Sequence, residues 1–136
     1  MISRRLARGA APPALRTLAG PHDVLAMREC VERVHVDEAI VRYAVALSAA
    51  TREHSKVTVG ASSRATLGLV QVARAHALLA DRDHVLPEDV KAVAVPALAH
   101  RLVLQPEMWV RGVGGEDIVT EILGRVPVPR AADLPA

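Results

Sequence analysis

Apolar residues recur along this chain at spacings of three and four, the period that gathers side chains on one face of a helix. Val24, Leu25, Met27, Cys30, Val31 and Val34 predict a first amphipathic helix over about 22–33, with Gly20-Pro21 suited to its start. Asp37 is placed to cap a second helix running to Glu53, and Glu38 complements the positive end of its dipole. Its stripe, Ile40, Val41, Ala44 and Leu47, fades at Ser48 and Thr51, while Arg42, Arg52 and Glu53 project elsewhere. A third helix, about 63–80, is apolar nearly all round through Leu67, Leu69, Val70, Val72, Ala73, Leu78 and Leu79, which predicts the central and most buried element.

Pro87-Glu88-Asp89 opens a fourth helix, with proline in the first position and acids in the first turn. Pro96 is expected to kink or restart it, and residues 97–102 continue helically. Gln105-Pro106 and the glycine-rich 111–115 interrupt the pattern before a last helix over 116–123. Segments 35–36, 56–59 and 84–86 read as extended connectors, the middle one at most a minor strand. At the ends, 1–18 reads as a linker after a short basic helical piece, and the residues after Val126 as a frayed, disordered tail, 129–136 at its end. The fold class is therefore all-α, a small helical bundle of four to five main helices spanning 19–128.

Composition narrows this picture. In 136 residues, 51% are hydrophobic but only 1% aromatic, Trp109 and Tyr43, so alanine, valine and leucine must fill the core of closely packed helices. The formal net charge is +2 with acids interspersed, which argues against a one-sided nucleic-acid footprint. Of the 17 basic residues all but Lys56 and Lys91 are arginine, the residue better suited to bidentate contacts with phosphate or carboxylate. The single cysteine, Cys30, excludes an internal disulfide framework, and no run of eighteen apolar residues or leader-like start appears. A cytoplasmic protein without membrane association is the expectation.

Arg64 breaks a local rule. With Ser62 as cap it occupies the second position of the third helix, where a cation opposes the dipole by about 0.3 to 1 kcal/mol. Exceptions of this kind concentrate at functional sites. Gly60, Ala61, Ser62, Ser63 and Arg64 together offer backbone N–H groups, close approach at a glycine, two hydroxyls and a guanidinium to one oxyanion, phosphate being the natural candidate. A solvated arginine in an ordinary turn explains the same spacing.

Other chemistry is poorly supported. No G-x-x-x-x-G-K-[ST] loop and no strand ending in paired acids is present, so the chain alone is not expected to bind or hydrolyse nucleotide. His22, His35, His54, His76, His84 and His100 show no metal-ligand spacing. Asp81 with Asp83, and Glu116 with Asp117, sit where capping and solvation explain them.

Four ordered blocks give a resemblance: Val34-His35-Val36-Asp37-Glu38-Ala39-Ile40, Val59-Gly60-Ala61-Ser62-Ser63-Arg64-Ala65, Leu86-Pro87-Glu88-Asp89-Val90 and Leu98-Ala99-His100-Arg101-Leu102. Over 18–128 the chain resembles the C-terminal helical lid of MoxR-family AAA+ ATPases. The resemblance implies that Arg64 is the catalytic sensor 2 arginine of a Gly-Ala-Ser-Pro-Arg-Ala motif, touching the terminal phosphates of ATP, with Gly60 to Ser63 beside it. Ser63 stands in place of the family's usual proline. Leu86 stands where a capping threonine is common, a loss expected to cost about 1 kcal/mol. It also implies ATP and Mg2+ as cofactors of the complete ATPase only, a nucleotide-binding core joined to this lid, ring neighbours in a hexamer, a chaperone-like role, and partners carrying von Willebrand factor A domains. Residues 1–18 resemble the end of such a core, the chain then being a fragment and, alone, a monomer. A stand-alone helical adaptor that docks another protein is the competing class, and a helical DNA binder is disfavoured by the low net charge.

Overall fold

The computed structural model describes residues 16–129. Among them six α-helices and one small two-stranded sheet make up the fold, in agreement with the all-α class. Helix α1 (Pro21–Arg33) begins on its proline, with the Asp23 carboxylate accepting from the Gly20 N–H at 2.8 Å. Asp37 starts α2 (Glu38–Glu53) by accepting from the Ala39 N–H at 2.7 Å, which satisfies one of the open donors of a helix start. Strand β1 (Val57–Val59) leads into α3 (Ser63–Leu79), and α4 (Pro87–Leu98) continues as a 3-10 turn (Ala99–Arg101). Strand β2 (Val103–Leu104), α5 (Pro106–Val110) and α6 (Gly115–Arg125) complete the order. The strands pair antiparallel, Val57 opposite Leu104 and Val59 opposite Val103. The extended segments at 35 and 84 meet in a parallel bridge, His35 N–H to Asp83 O at 2.7 Å and Val85 N–H to His35 O at 3.0 Å.

The centre of the bundle is α4, not α3. Helix α3 buries only Ala65, Leu69, Ala73 and Ala77, leaving Leu67, Val72 and Leu79 exposed, whereas α4 buries Val90, Val93, Ala94 and Leu98 and packs on α2, α3, α6 and the 3-10 turn. The reason is steric: α3 turns its alanine-rich face inward, so two helix axes approach closely, and its larger apolar residues fall on the opposite side. Helix α1 buries none of its residues. The completely enclosed large side chains are Ile40, Leu47, Leu69, Leu98 and Ile118.

Three local features differ from the sequence expectation. Pro96 does not restart α4, which runs through it to Leu98; the carbonyls of Pro96 and Ala97 are taken by His100 Nδ1 at 3.0 Å and Arg101 Nε at 3.1 Å. Pro106 opens a short helix, α5, held down by buried Met108, with Trp109 and Val110 exposed. After Val126, whose N–H bonds to Ile122 O at 2.9 Å, Val128 packs half-buried against the core rather than fraying. The expected basic piece at 2–8, most of the linker, and 130–136 of the tail lie outside the described residues. Among the described residues no helix is long and apolar enough to cross a membrane.

Helix α3 ends in a Schellman arrangement, Arg82 N–H to Ala77 O at 3.0 Å and Asp81 N–H to Leu78 O at 3.0 Å, with Asp81 in the left-handed region at φ 58°. Glycine adopts that conformation without the Cβ penalty, and a carboxylate at a helix C-terminus opposes the dipole. Asp81→Gly should therefore raise stability by about 1 kcal/mol, read as a higher thermal midpoint in calorimetry.

Candidate functional site

The corner singled out in the sequence is built from two helices. Gly60 lies against the end of α2 so closely that a Cβ there would stand 2.7 Å from the Arg52 Cα and backbone N. Only glycine permits this approach without moving backbone. The following residue is held on both sides: the Ala61 N–H donates to Thr51 Oγ1 at 2.8 Å, and Arg52 donates from Nη1 to Ala61 O at 2.7 Å. Thr51 is itself buried and donates to Ser48 O at 2.6 Å, so its hydroxyl both gives and accepts.

Ser62 then caps α3, its Oγ accepting from the Ala65 N–H at 3.3 Å, while buried Ala61 and Ala65 anchor the corner in the core. The N–H groups of Ser63 and Arg64 come before the first bonded turn and have no intrahelical acceptor, as at any helix start. No acid lies in the first turn of α3. Ser62, Ser63 and Arg64 are exposed, and among the described residues no ion pair or hydrogen bond engages the Arg64 guanidinium. An open cleft beside them is lined by Arg52, Thr58, Val59, Gly60, Ala61, Ser62 and Ser63. Gly60 to Arg64 stand together in the sequence, whereas Thr51 and Arg52 are brought against them by the fold from nine to ten residues away. A hydroxyl and a guanidinium at the last turn of a helix whose apolar stripe has just faded were the available signal.

The charge distribution suits an anion and leaves a metal without ligands. Backbone donors, hydroxyls and arginines face solvent with no carboxylate in the first turn, and among the described residues no group of three histidine, cysteine or acidic side chains stands close enough to hold a metal ion.

A second polar cluster is structural. Asp89, buried at the start of α4, receives Arg82 on both oxygens at 2.5 and 2.6 Å, His76 Nδ1 at 2.7 Å and the Leu86 N–H at 2.8 Å. Burial alone would raise its pKa; the bonds from Arg82, the Leu86 amide and His76 outweigh that and bring it to about 2. Leu86 offers no capping oxygen; its own N–H is taken by Asp89, the half of a capping box that comes from the helix side. Asp83 pairs with His84 at 2.9 Å in solvent, and Asp117 accepts from the Gly114 N–H at 2.8 Å, the solvation and capping roles expected of those acids. Glu121 gathers Arg125 at 2.7 Å, Lys56 at 3.2 Å and the ring of buried His54 at 3.4 Å, contacts led by Lys56 that hold its pKa below the usual carboxylate range.

Comparison with known proteins places the chain among relatives. Residues 49–122 match the family model described as the AAA lid domain. The uncharacterised protein YeaC of Bacillus subtilis is 36% identical over 115 residues, covering 85% of this chain and 36% of that protein. Chaperone MoxR1 of Mycobacterium tuberculosis is 33% identical over 136 aligned positions, 93% of this chain and 36% of the relative. A crystal structure of a candidate ATPase from Cytophaga hutchinsonii superposes with a TM-score of 0.80 at 33% identity, covering 95% of this chain and 42% of that one. The chain thus spans about a third of the length of the curated relatives it matches.

Proposed function

The chain belongs to the AAA lid domain family, in its MoxR branch, and on that premise we propose that it serves as the lid of an ATP-hydrolysing AAA+ protein, with Arg64 as the arginine that senses the terminal phosphate. The observation that carries this reading is an arginine in the first turn of α3, exposed and engaged by no partner among the described residues. It stands beside two amides that a helix start leaves open. The residues fit an anion: they supply donors and positive charge, while magnesium ligands and the base and ribose contacts must come from a nucleotide-binding core. Residues 1–18 are the connection toward that core and 19–128 the lid in this reading.

ATP, when bound on the core with Mg2+, supplies the phosphoryl group that is cleaved. The lid's part is to orient and neutralise. Ser62 fixes the first turn, the free amides of Ser63 and Arg64 stay open at the helix start, and the Arg64 side chain adds a charge-assisted contact that strengthens as negative charge accumulates in the transition state. Loss of the phosphate removes that contact and frees the lid to swing as a rigid body toward ring neighbours, in a hexamer by analogy with the family. A chaperone-like role, partners carrying von Willebrand factor A domains and a cytoplasmic setting belong to the same proposal.

With the lid joined to its core, Arg64→Ala should lower kcat/KM for ATP by about tenfold, the value of one charge-assisted contact. Steady-state hydrolysis kinetics check this, and an unchanged kcat/KM would sink the assignment.

A further inference from the structure

From the two hydrogen bonds that converge on Ala61, we infer that Thr51 and Arg52 are positioning residues for Arg64: the end of α2 grips both backbone groups of the residue that aims the first turn of α3. This rests on the phosphate-sensing reading of Arg64.

The geometry carries it in three steps. Ala61 is fully buried, so its N–H and carbonyl both need partners, and neither is given one by α3, whose first bonds begin at Ser62. Thr51 Oγ1 takes the N–H at 2.8 Å and Arg52 Nη1 takes the carbonyl at 2.7 Å. Gly60 closes the third side, its Cα seated on the Arg52 backbone where no Cβ fits. The peptides on both sides of Ala61 are thereby held from α2, and they lead directly into the Ser62 cap that starts α3. Arg64 is two residues further on, in the same turn. The chain connecting α2 to this corner, the turn at 54–56 and the three-residue β1, is tied to Gln105 and β2 on the other side of the fold, so the bonds from Thr51 and Arg52 are the hydrogen bonds that join the corner to α2 itself. The consequence is that, as the lid moves as one body, Arg64 keeps its place relative to the end of α2 through these two bonds as well as through the packing of α2 on α3.

Two measurements test this. In the 136-residue chain, residue-resolved amide exchange should show Ala61 protected, with Thr51→Val raising its exchange about tenfold relative to Leu69 and Ala73 in the middle of α3. Thr51→Ser, which keeps the hydroxyl, should restore protection. In the ATPase formed with the core, Thr51→Val and Arg52→Gln should each lower kcat/KM for ATP by up to about tenfold, the loss expected of Arg64→Ala, and by less than about twofold when Arg64 is already alanine. Unaltered Ala61 exchange in Thr51→Val overturns the grip. Equal kcat/KM penalties with and without Arg64 overturn the positioning role and leave the pair acting on stability alone. A silent Arg64→Ala overturns the phosphate reading, and the exchange result still decides whether the grip exists.

Discussion

Asp89→Ala should destabilise the chain by about 3 to 4 kcal/mol, measured by urea denaturation at neutral pH. The carboxylate is 1% exposed and makes four short contacts that tie three separate pieces together: His76 from α3, Arg82 from the turn, and Leu86 at the start of α4. Alanine would leave the Leu86 amide without its acceptor and Arg82 without its bidentate partner, the latter only 25% exposed. The pH dependence follows from the same group. Its folded pKa, about 2, lies below the usual 3.8, so its contribution is complete above the unfolded value and is lost as pH falls from about 4 through 2. The difference corresponds to about 2 kcal/mol. Asp89→Ala should therefore remove most of the stability change over that interval, whereas the same titration of Asp81→Gly should retain it.

The same substitution in one helix should have opposite signs at two glycines. At Gly115, the first residue of α6, an added Cβ would overlap the Ala99 carbonyl oxygen and crowd the Ala99 carbon and Cα as well. Those are backbone atoms of the 3-10 turn and cannot rotate aside. Gly115→Ala must push α6 off that turn, loosening buried Ile118, Val119 and Ile122, at a cost of about 2 to 3 kcal/mol. At Gly124, near the other end, a Cβ meets nothing within 4 Å, and alanine should stabilise by about 0.5 to 1 kcal/mol because it lowers the freedom of the unfolded chain. Denaturation midpoints of the two variants decide it; a destabilised Gly124→Ala or an indifferent Gly115→Ala would contradict the packing described.

The candidate corner was readable wherever its signal was local. Asp37 and Ser62 act as caps because their side chains reach their own next amides, and Arg64 stood out because it defies the dipole of the helix it begins. Thr51 and Arg52 were not readable as part of that corner, since a hydroxyl bonded to an amide ten residues later depends on how α2 and α3 cross. Asp89 was legible as a first-turn acid. Its role as the acceptor for an arginine and a histidine from other elements was not. Helix α5 was missed because five residues with one buried anchor, Met108, leave no periodicity to detect.

What the sequence determined by itself is therefore the five longer helices, the Asp37 and Ser62 caps, the all-α class and the glycine-serine-arginine corner, because each depends on a pattern carried along a local stretch of chain. What only the tertiary structure decided is which face of each helix is covered. The nearly uniform apolar surface of α3 could not say that its alanines turn inward and Leu67 and Leu79 outward. That choice is set by how closely α4 can approach, a property of two surfaces fitting together that neither helix encodes alone.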